Sequence, residues 1–135
     1  MRALSLLPAL LLLSACEAAD SMESGPVHEA SFIVRYRVEG TYATCSISYR
    51  DEMRTLQRED VAPGWEKTIS VRVRTDQSPF DALVQATCAD PTKTGKVTAS
   101  LVANSTLVAV ETTAGFGATA RAAGQLTGTG TVRTD

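Results

Sequence analysis

The residues able to do chemistry in this chain are few. It holds three cysteines and a single histidine, His28. A hydrolytic triad needs a base beside its nucleophile, most often a histidine. His28 sits in the stretch EAADSMESGPVHEA, which is small, acidic and non-periodic and offers no rigid frame. The carboxylate pairs Asp51/Glu52 and Glu59/Asp60 could in principle act as acid and base. Their neighbours Arg50, Arg54 and Arg58 make that segment read as a solvated, salt-bridged edge instead. The glycine-rich GQLTGTG lacks the lysine and the helix of a phosphate loop. No catalytic residue and no cofactor are expected.

The cysteines are more informative. Cys16 ends the run LLLSAC, and Arg2 supplies a short positive start. Leu4 to Leu13 is apolar apart from Ser5 and Pro8. That is the length of a signal-peptide core and well short of the ~20 residues that span a bilayer. The sequence Leu13-Ser14-Ala15-Cys16 resembles the lipobox of bacterial lipoproteins. In that family the thiol takes a diacylglyceryl group, the peptide is cut before the cysteine, and the new amine is often acylated. The alternative is an ordinary secretory signal in which Cys16 is incidental. The resemblance implies that residues 1–15 are a signal peptide and that lipidated Cys16 holds the protein on a membrane. More than one acyl chain makes such an anchor firm. Glu17 stands where an aspartate would signal inner-membrane retention in that family. The implied location is therefore the periplasmic face of the outer membrane, or the cell surface where no outer membrane exists.

Cutting before Cys16 leaves 120 of the 135 residues, enough for one domain. The net charge of −2 becomes −3 on losing Arg2, the one charge in residues 1–15. Glu17, Asp20, Glu23 and Glu29 crowd residues 16–30, which hold no Lys or Arg. That segment reads as a flexible acidic spacer. The remainder is nearly balanced, so no nucleic-acid partner is expected. With the chain exported and Cys16 lipidated, Cys45 and Cys88 are the pair left to form a disulfide. Closing a loop of that length stabilises the fold by ~4 kcal/mol in the chain-entropy view. Two buried free thiols are the alternative. A metal site is not expected, because two cysteines without a histidine do not complete a tetrahedral set.

The elements that must carry these residues alternate with a period of two, the mark of half-buried strands. Phe32, Val34, Tyr36 and Val38 share one face, with Arg35, Arg37 and Glu39 opposite. Ala43, Cys45, Ile47 and Tyr49 share the next, and Ile69, Val71 and Val73 another. Ala82, Val84, Ala86 and Cys88 follow, then Val97, Ala99, Leu101 and Ala103. TLVAVET is apolar on both faces and predicts a central or covered strand; GATARAA is an Ala-rich last strand. DEMRTLQRED predicts a polar edge strand, with a short helical turn as the alternative. Turn residues separate these runs. About seven strands of this kind predict an all-β, immunoglobulin-like antiparallel β-sandwich over residues 31–123. Residues 124–135 are a Gly/Thr-rich tail whose threonines would also allow a last strand. Trp65 follows a Pro-Gly turn and is expected as a core plug, with ligand stacking as its alternative.

Taken in order, YRVEGTYATCSISYR, PGWEKTISVRV, ALVQATC and GKVTASLVANSTLVAVETTAG resemble the extracytoplasmic domain of the MmpS family. The likeness covers roughly residues 32 to 120. It implies an immunoglobulin-like sandwich and a role beside a membrane transporter of the resistance-nodulation-division type. Three features depart from the family pattern: a lipobox in place of a transmembrane helix, Gly64 inserted between Pro63 and Trp65, and cysteines on earlier strands. The binding expectation rests on the outward residues Arg35, Arg37, Arg72 and Arg74, which would form one patch for an acidic partner or anionic headgroups if their strands are neighbours. The plainer alternative is a charged face that keeps a sheet soluble. The chain is thus expected to be a membrane-anchored, non-catalytic binding or accessory module. Its alternative is a structural envelope lipoprotein without a transporter partner.

Overall fold

The computed structural model describes residues 26–88 and 95–134. Residues 1–15, Cys16 and the spacer up to residue 25 lie outside them. Nine strands run in chain order: β1 (Glu29–Gly40), β2 (Cys45–Arg50), β3 (Leu56–Val61), β4 (Trp65–Arg74), β5 (Phe80–Cys88), β6 (Gly95–Ala103), β7 (Thr106–Gly115), β8 (Ala118–Leu126) and β9 (Val132–Thr134). They form a four-stranded sheet, β4-β1-β6-β7, and a five-stranded sheet, β3-β2-β5-β8-β9. Every pairing is antiparallel. The inner faces of the two sheets meet in a core of mostly small aliphatic side chains, so the chain is the all-β sandwich its alternation predicts.

The polar segment forms the expected edge strand only over Leu56–Val61, residues 51–55 being a turn, and the tail adds β9. Polar β3 lies on a sheet edge, as its composition asks. The sandwich begins earlier than residue 31, at Glu29, and β8 runs past residue 123 to Leu126. The loop Thr127–Thr131 then turns the chain back into β9. Gly128 packs so closely on the Arg74–Thr75 backbone that a side chain there would collide with it. Ala43 is exposed in a loop, and Tyr42 takes its place in the core.

TLVAVET is neither central nor covered: β7 is an edge strand. Leu101 pairs with Ala109 but Val102 pairs with Leu107, so Val108 is an extra residue in a β-bulge. The bulge resets the alternation. Val108 and Ala109 turn toward the core, whereas Leu107 and Val110 face out. A run that appears apolar on both faces is two half-periods joined out of phase.

Cys45 and Cys88 form a disulfide with their Cα atoms 4.2 Å apart. The register Ser46↔Thr87 and Ile47↔Ala86, continued by one residue, sets the two cysteines directly across from each other on β2 and β5. The bond therefore links neighbours within one sheet, where the immunoglobulin bridge of antibody domains joins two sheets. Both residues are fully buried.

Candidate contact surfaces at the two poles

Because all strands run up or down, the loops gather at two poles. The N-terminal pole holds residues 26–28 and the turns 51–55, 75–79, 104–105 and 127–131. It is knit by backbone groups. His28 N–H donates to Thr75 Oγ1 at 3.1 Å, and Thr75 N–H donates to His28 C=O at 2.9 Å. The guanidinium of Arg54 donates to the carbonyls of Ser78 (2.9 Å) and Pro79 (3.1 Å). β1 outruns β6 at this end, leaving its edge bare at Ser31–Ile33. Asn104 covers that edge. Its Oδ1 accepts from Ile33 N–H at 2.8 Å, its N–H donates to Ile33 C=O at 2.9 Å, and its Nδ2 donates to Ser31 C=O at 3.3 Å. Asn104 and Ser105 carry φ values of 49° and 68°, the left-handed pair of a two-residue hairpin turn. Beside this turn Ile33, Arg35, Val102, Asn104 and Ser105 line an open groove of about 340 Å³.

The opposite pole holds the loops 41–44, 62–64 and 116–117. Tyr42 organises it. Its side chain is buried in the core while its hydroxyl sits between the carbonyls of Gly95 (3.1 Å) and Gly115, sharing its one proton between them. The link Gly115-Phe116-Gly117 carries the chain from one sheet to the other, with φ of 119° at Gly115 and 62° at Gly117. Between these glycines Phe116 is 65% exposed.

The arginines do not form one patch, although β1 and β4 are neighbours. The register sets Arg35 and Arg37 against Thr68 and Glu66, but Arg72 and Arg74 against Ser31 and Glu29. Arg35 and Arg72 are thus four residues apart along the sheet, ~13 Å at strand rise. Glu66 takes both nearer guanidinium groups, 3.4 Å from Arg35 Nε and 3.4 Å from Arg37 Nε. Glu39 lies 3.3 Å from Arg37, and Asp76 lies 2.9 Å from Arg74. Alternation alone could place these side chains outward; only the register shows that they fall into two separate pairs, and only the side-chain contacts show that carboxylates hold three of the four.

Trp65 packs against the core without entering it. Its ring is half-buried at the side of the sandwich, 5.3 Å from the Tyr49 ring, which is 5.9 Å from that of Tyr36. Gly64, at φ 99°, donates its N–H to Val38 C=O at 2.8 Å and so extends the ladder to the tryptophan. The Tyr36 hydroxyl donates to Arg50 C=O at 2.7 Å, and burial pushes its phenol well above the usual range. Tyr49 is likewise raised, by burial first and then by a hydrogen bond to Glu59.

The carboxylate pairs do not converge. Asp51 accepts from Met53 N–H, Thr55 N–H and Gln57 Nε2, at 2.9, 2.9 and 2.7 Å. These bonds, with the Thr55 N–H foremost, hold its carboxyl below the usual carboxylate range. It is the brace of a turn. Glu59 and Asp60 are successive residues of β3 and so point to opposite faces. Among the described residues no group of three His, Cys, Asp or Glu side chains could hold a metal ion, and no helix is long and apolar enough to cross a membrane.

The fold and these surfaces define an antiparallel β-sandwich with exposed side chains gathered at its loops. No protein-family model and no curated protein matches the chain.

Three residues of these surfaces escape the sequence reading: Phe116, Asn104 and Met53. Gly-Phe-Gly is a visible signal for the first, since an aromatic residue between two glycines is poorly placed to be core. The other two carry none beyond turn propensity.

Proposed function

We propose that the chain is an exported lipoprotein, anchored through Cys16, whose sandwich is a non-catalytic contact module serving a membrane transporter of the resistance-nodulation-division type. The observation that carries the contact role is Phe116. An aromatic side chain held in solvent by a turn that Tyr42 fixes brings a large apolar area at small entropic cost. It stands at the pole away from the N-terminus, where a module tied down at Cys16 would meet a partner. The arginine face is the weaker site, because Glu66, Glu39 and Asp76 already occupy three of its four guanidinium groups.

Crosslinking in cells, followed by identification of captured proteins, tests this reading. Cys16→Ala is expected to abolish palmitate incorporation and membrane retention. Phe116→Ala is expected to leave the fold and the anchor intact and to lose the captured transporter. Reversing Arg35, Arg37, Arg72 and Arg74 to Glu is expected to weaken capture less than Phe116→Ala does. Capture of no transporter by the wild type would refute the accessory role and leave a structural envelope lipoprotein.

A further inference from the structure

Eight large apolar side chains are exposed among the described residues: Val27, Ile33, Met53, Leu56, Leu107, Val110, Phe116 and Val132. Their distribution is not even. Phe116 stands at the far pole and Val110 lies mid-strand, while the other six crowd the N-terminal pole. Met53, at 78% exposed, tops the turn between β2 and β3. Leu107 opens β7 beside the Asn104–Ser105 turn, with Ile33 and Val102 flooring the adjoining groove. Val27 precedes β1, Leu56 opens β3 and Val132 opens β9. Each belongs to a different strand or loop, so local sequence does not explain their gathering. Soluble surfaces scatter such residues singly.

We infer that this pole docks on the bilayer, with Met53, Leu107 and their apolar neighbours entering the interfacial layer. The inference rests on the anchor at Cys16, and the chain itself names the occupant. Twelve residues lie between Cys16 and Glu29, a span of at most ~40 Å when fully extended. The chain leaves the sandwich from this same pole, so an anchored domain keeps the pole close to the membrane. A surface too weak to bind lipid alone is then held at high effective concentration against it. The charges favour insertion over electrostatic adhesion. Arg50, Arg54, Arg72, Arg74 and Arg133 are offset there by Glu29, Asp51, Glu52, Asp76 and Asp81. Docking should therefore persist on neutral lipid and at high salt.

The test uses the full chain, lipidated in cells and reconstituted into vesicles of phosphatidylcholine, with or without phosphatidylglycerol, that carry a brominated lipid as quencher. Trp65, the chain's one tryptophan, packs away from this pole and serves as an internal reference. In Met53→Trp the added emission is expected to shift to the blue and be quenched, in both lipids and at high salt. In Phe116→Trp, at the opposite pole, the added emission is expected to remain unquenched. Protein that floats with the vesicles but leaves position 53 unquenched overturns docking while the anchor stands. Equal quenching at 53 and 116 overturns an oriented pole. Quenching abolished by salt overturns insertion. A blue shift that follows protein concentration and not lipid would assign the surface to a second copy of the chain instead. Protein that fails to float removes the anchor, and the docking with it.

Discussion

Removing the Cys45–Cys88 bond isolates what one covalent link contributes to a core built from small side chains. Cys45 and Cys88 lie 43 residues apart in sequence. Strands β2 and β5 are already hydrogen-bonded neighbours, so the folded state gains little new contact from the bond. Its effect falls on the unfolded chain, which loses loop freedom worth ~4 kcal/mol. For a domain of about 100 ordered residues, ~4 °C of Tm per kcal/mol makes the expected drop ~15 °C. The assay is thermal unfolding by circular dichroism of the oxidised wild type, the reduced wild type and the Cys45→Ala/Cys88→Ala variant. The double variant should melt slightly below the reduced protein, because each alanine also leaves a small void. Thiol titration should find none free in the oxidised protein. Both cysteines are fully buried, so reductant should act fast only once denaturant opens the sheet. A drop of less than ~4 °C would show that the unfolded chain is already constrained near this pair, and the loop-entropy reasoning would fail.

Two further changes probe the core and the N-terminal pole. Tyr36 ionises near its ordinary value of 10.0 in the unfolded chain and well above it when folded. Below pH 10 both states are protonated and stability is flat; above it only the unfolded chain loses the proton, so stability should fall by up to ~1.4 kcal/mol per pH unit. Tyr36→Phe should reduce that slope without abolishing it, since Tyr49 is raised too, and should cost ~1 kcal/mol at neutral pH by removing the bond to Arg50; an unchanged alkaline slope in denaturant melts counts against the assignment. Asn104→Gly keeps the left-handed turn but drops the side-chain bonds to Ile33 and Ser31, whereas Asn104→Ala adds backbone strain. The expected order of stability is Asn, Gly, Ala, each step ~1 kcal/mol, and equal melts for Gly and Ala would mean that φ at this position does not matter.

The sequence makes the inward faces legible because period-two alternation is the direct imprint of one dry and one wet side. Phe32, Val34, Tyr36 and Val38 fall where that rule puts them, as do Val97, Ala99 and Leu101. It fails where one residue breaks the period: Val108 in its bulge makes β7 resemble a covered strand. The disulfide is legible from the inward-facing positions of Cys45 and Cys88 on their strands; its placement within one sheet is not, because strand order depends on which edges meet. The arginines show the same limit. Their outward direction follows from local pattern, but their separation follows from a register set by the whole of β1 and β4. Phe116 and Met53 sit in loops, where no periodicity exists to read.

The position of β1 between two partners has a mechanical consequence. Any pull on the N-terminus reaches the domain first at His28, through its bonds to Thr75, and then runs along the axis of β1. Its ladders to β4 and β6 lie across that direction, so they are loaded in shear and their bonds must give way together. From β1 the load can pass through β6 to β7, and so to the tip at Phe116, without leaving one sheet. The cystine lies in the other sheet, off this line. A pull between the N-terminus and this tip would thus load the β1, β6 and β7 ladders in shear, with β8 sharing it through the Gly115-Phe116-Gly117 link.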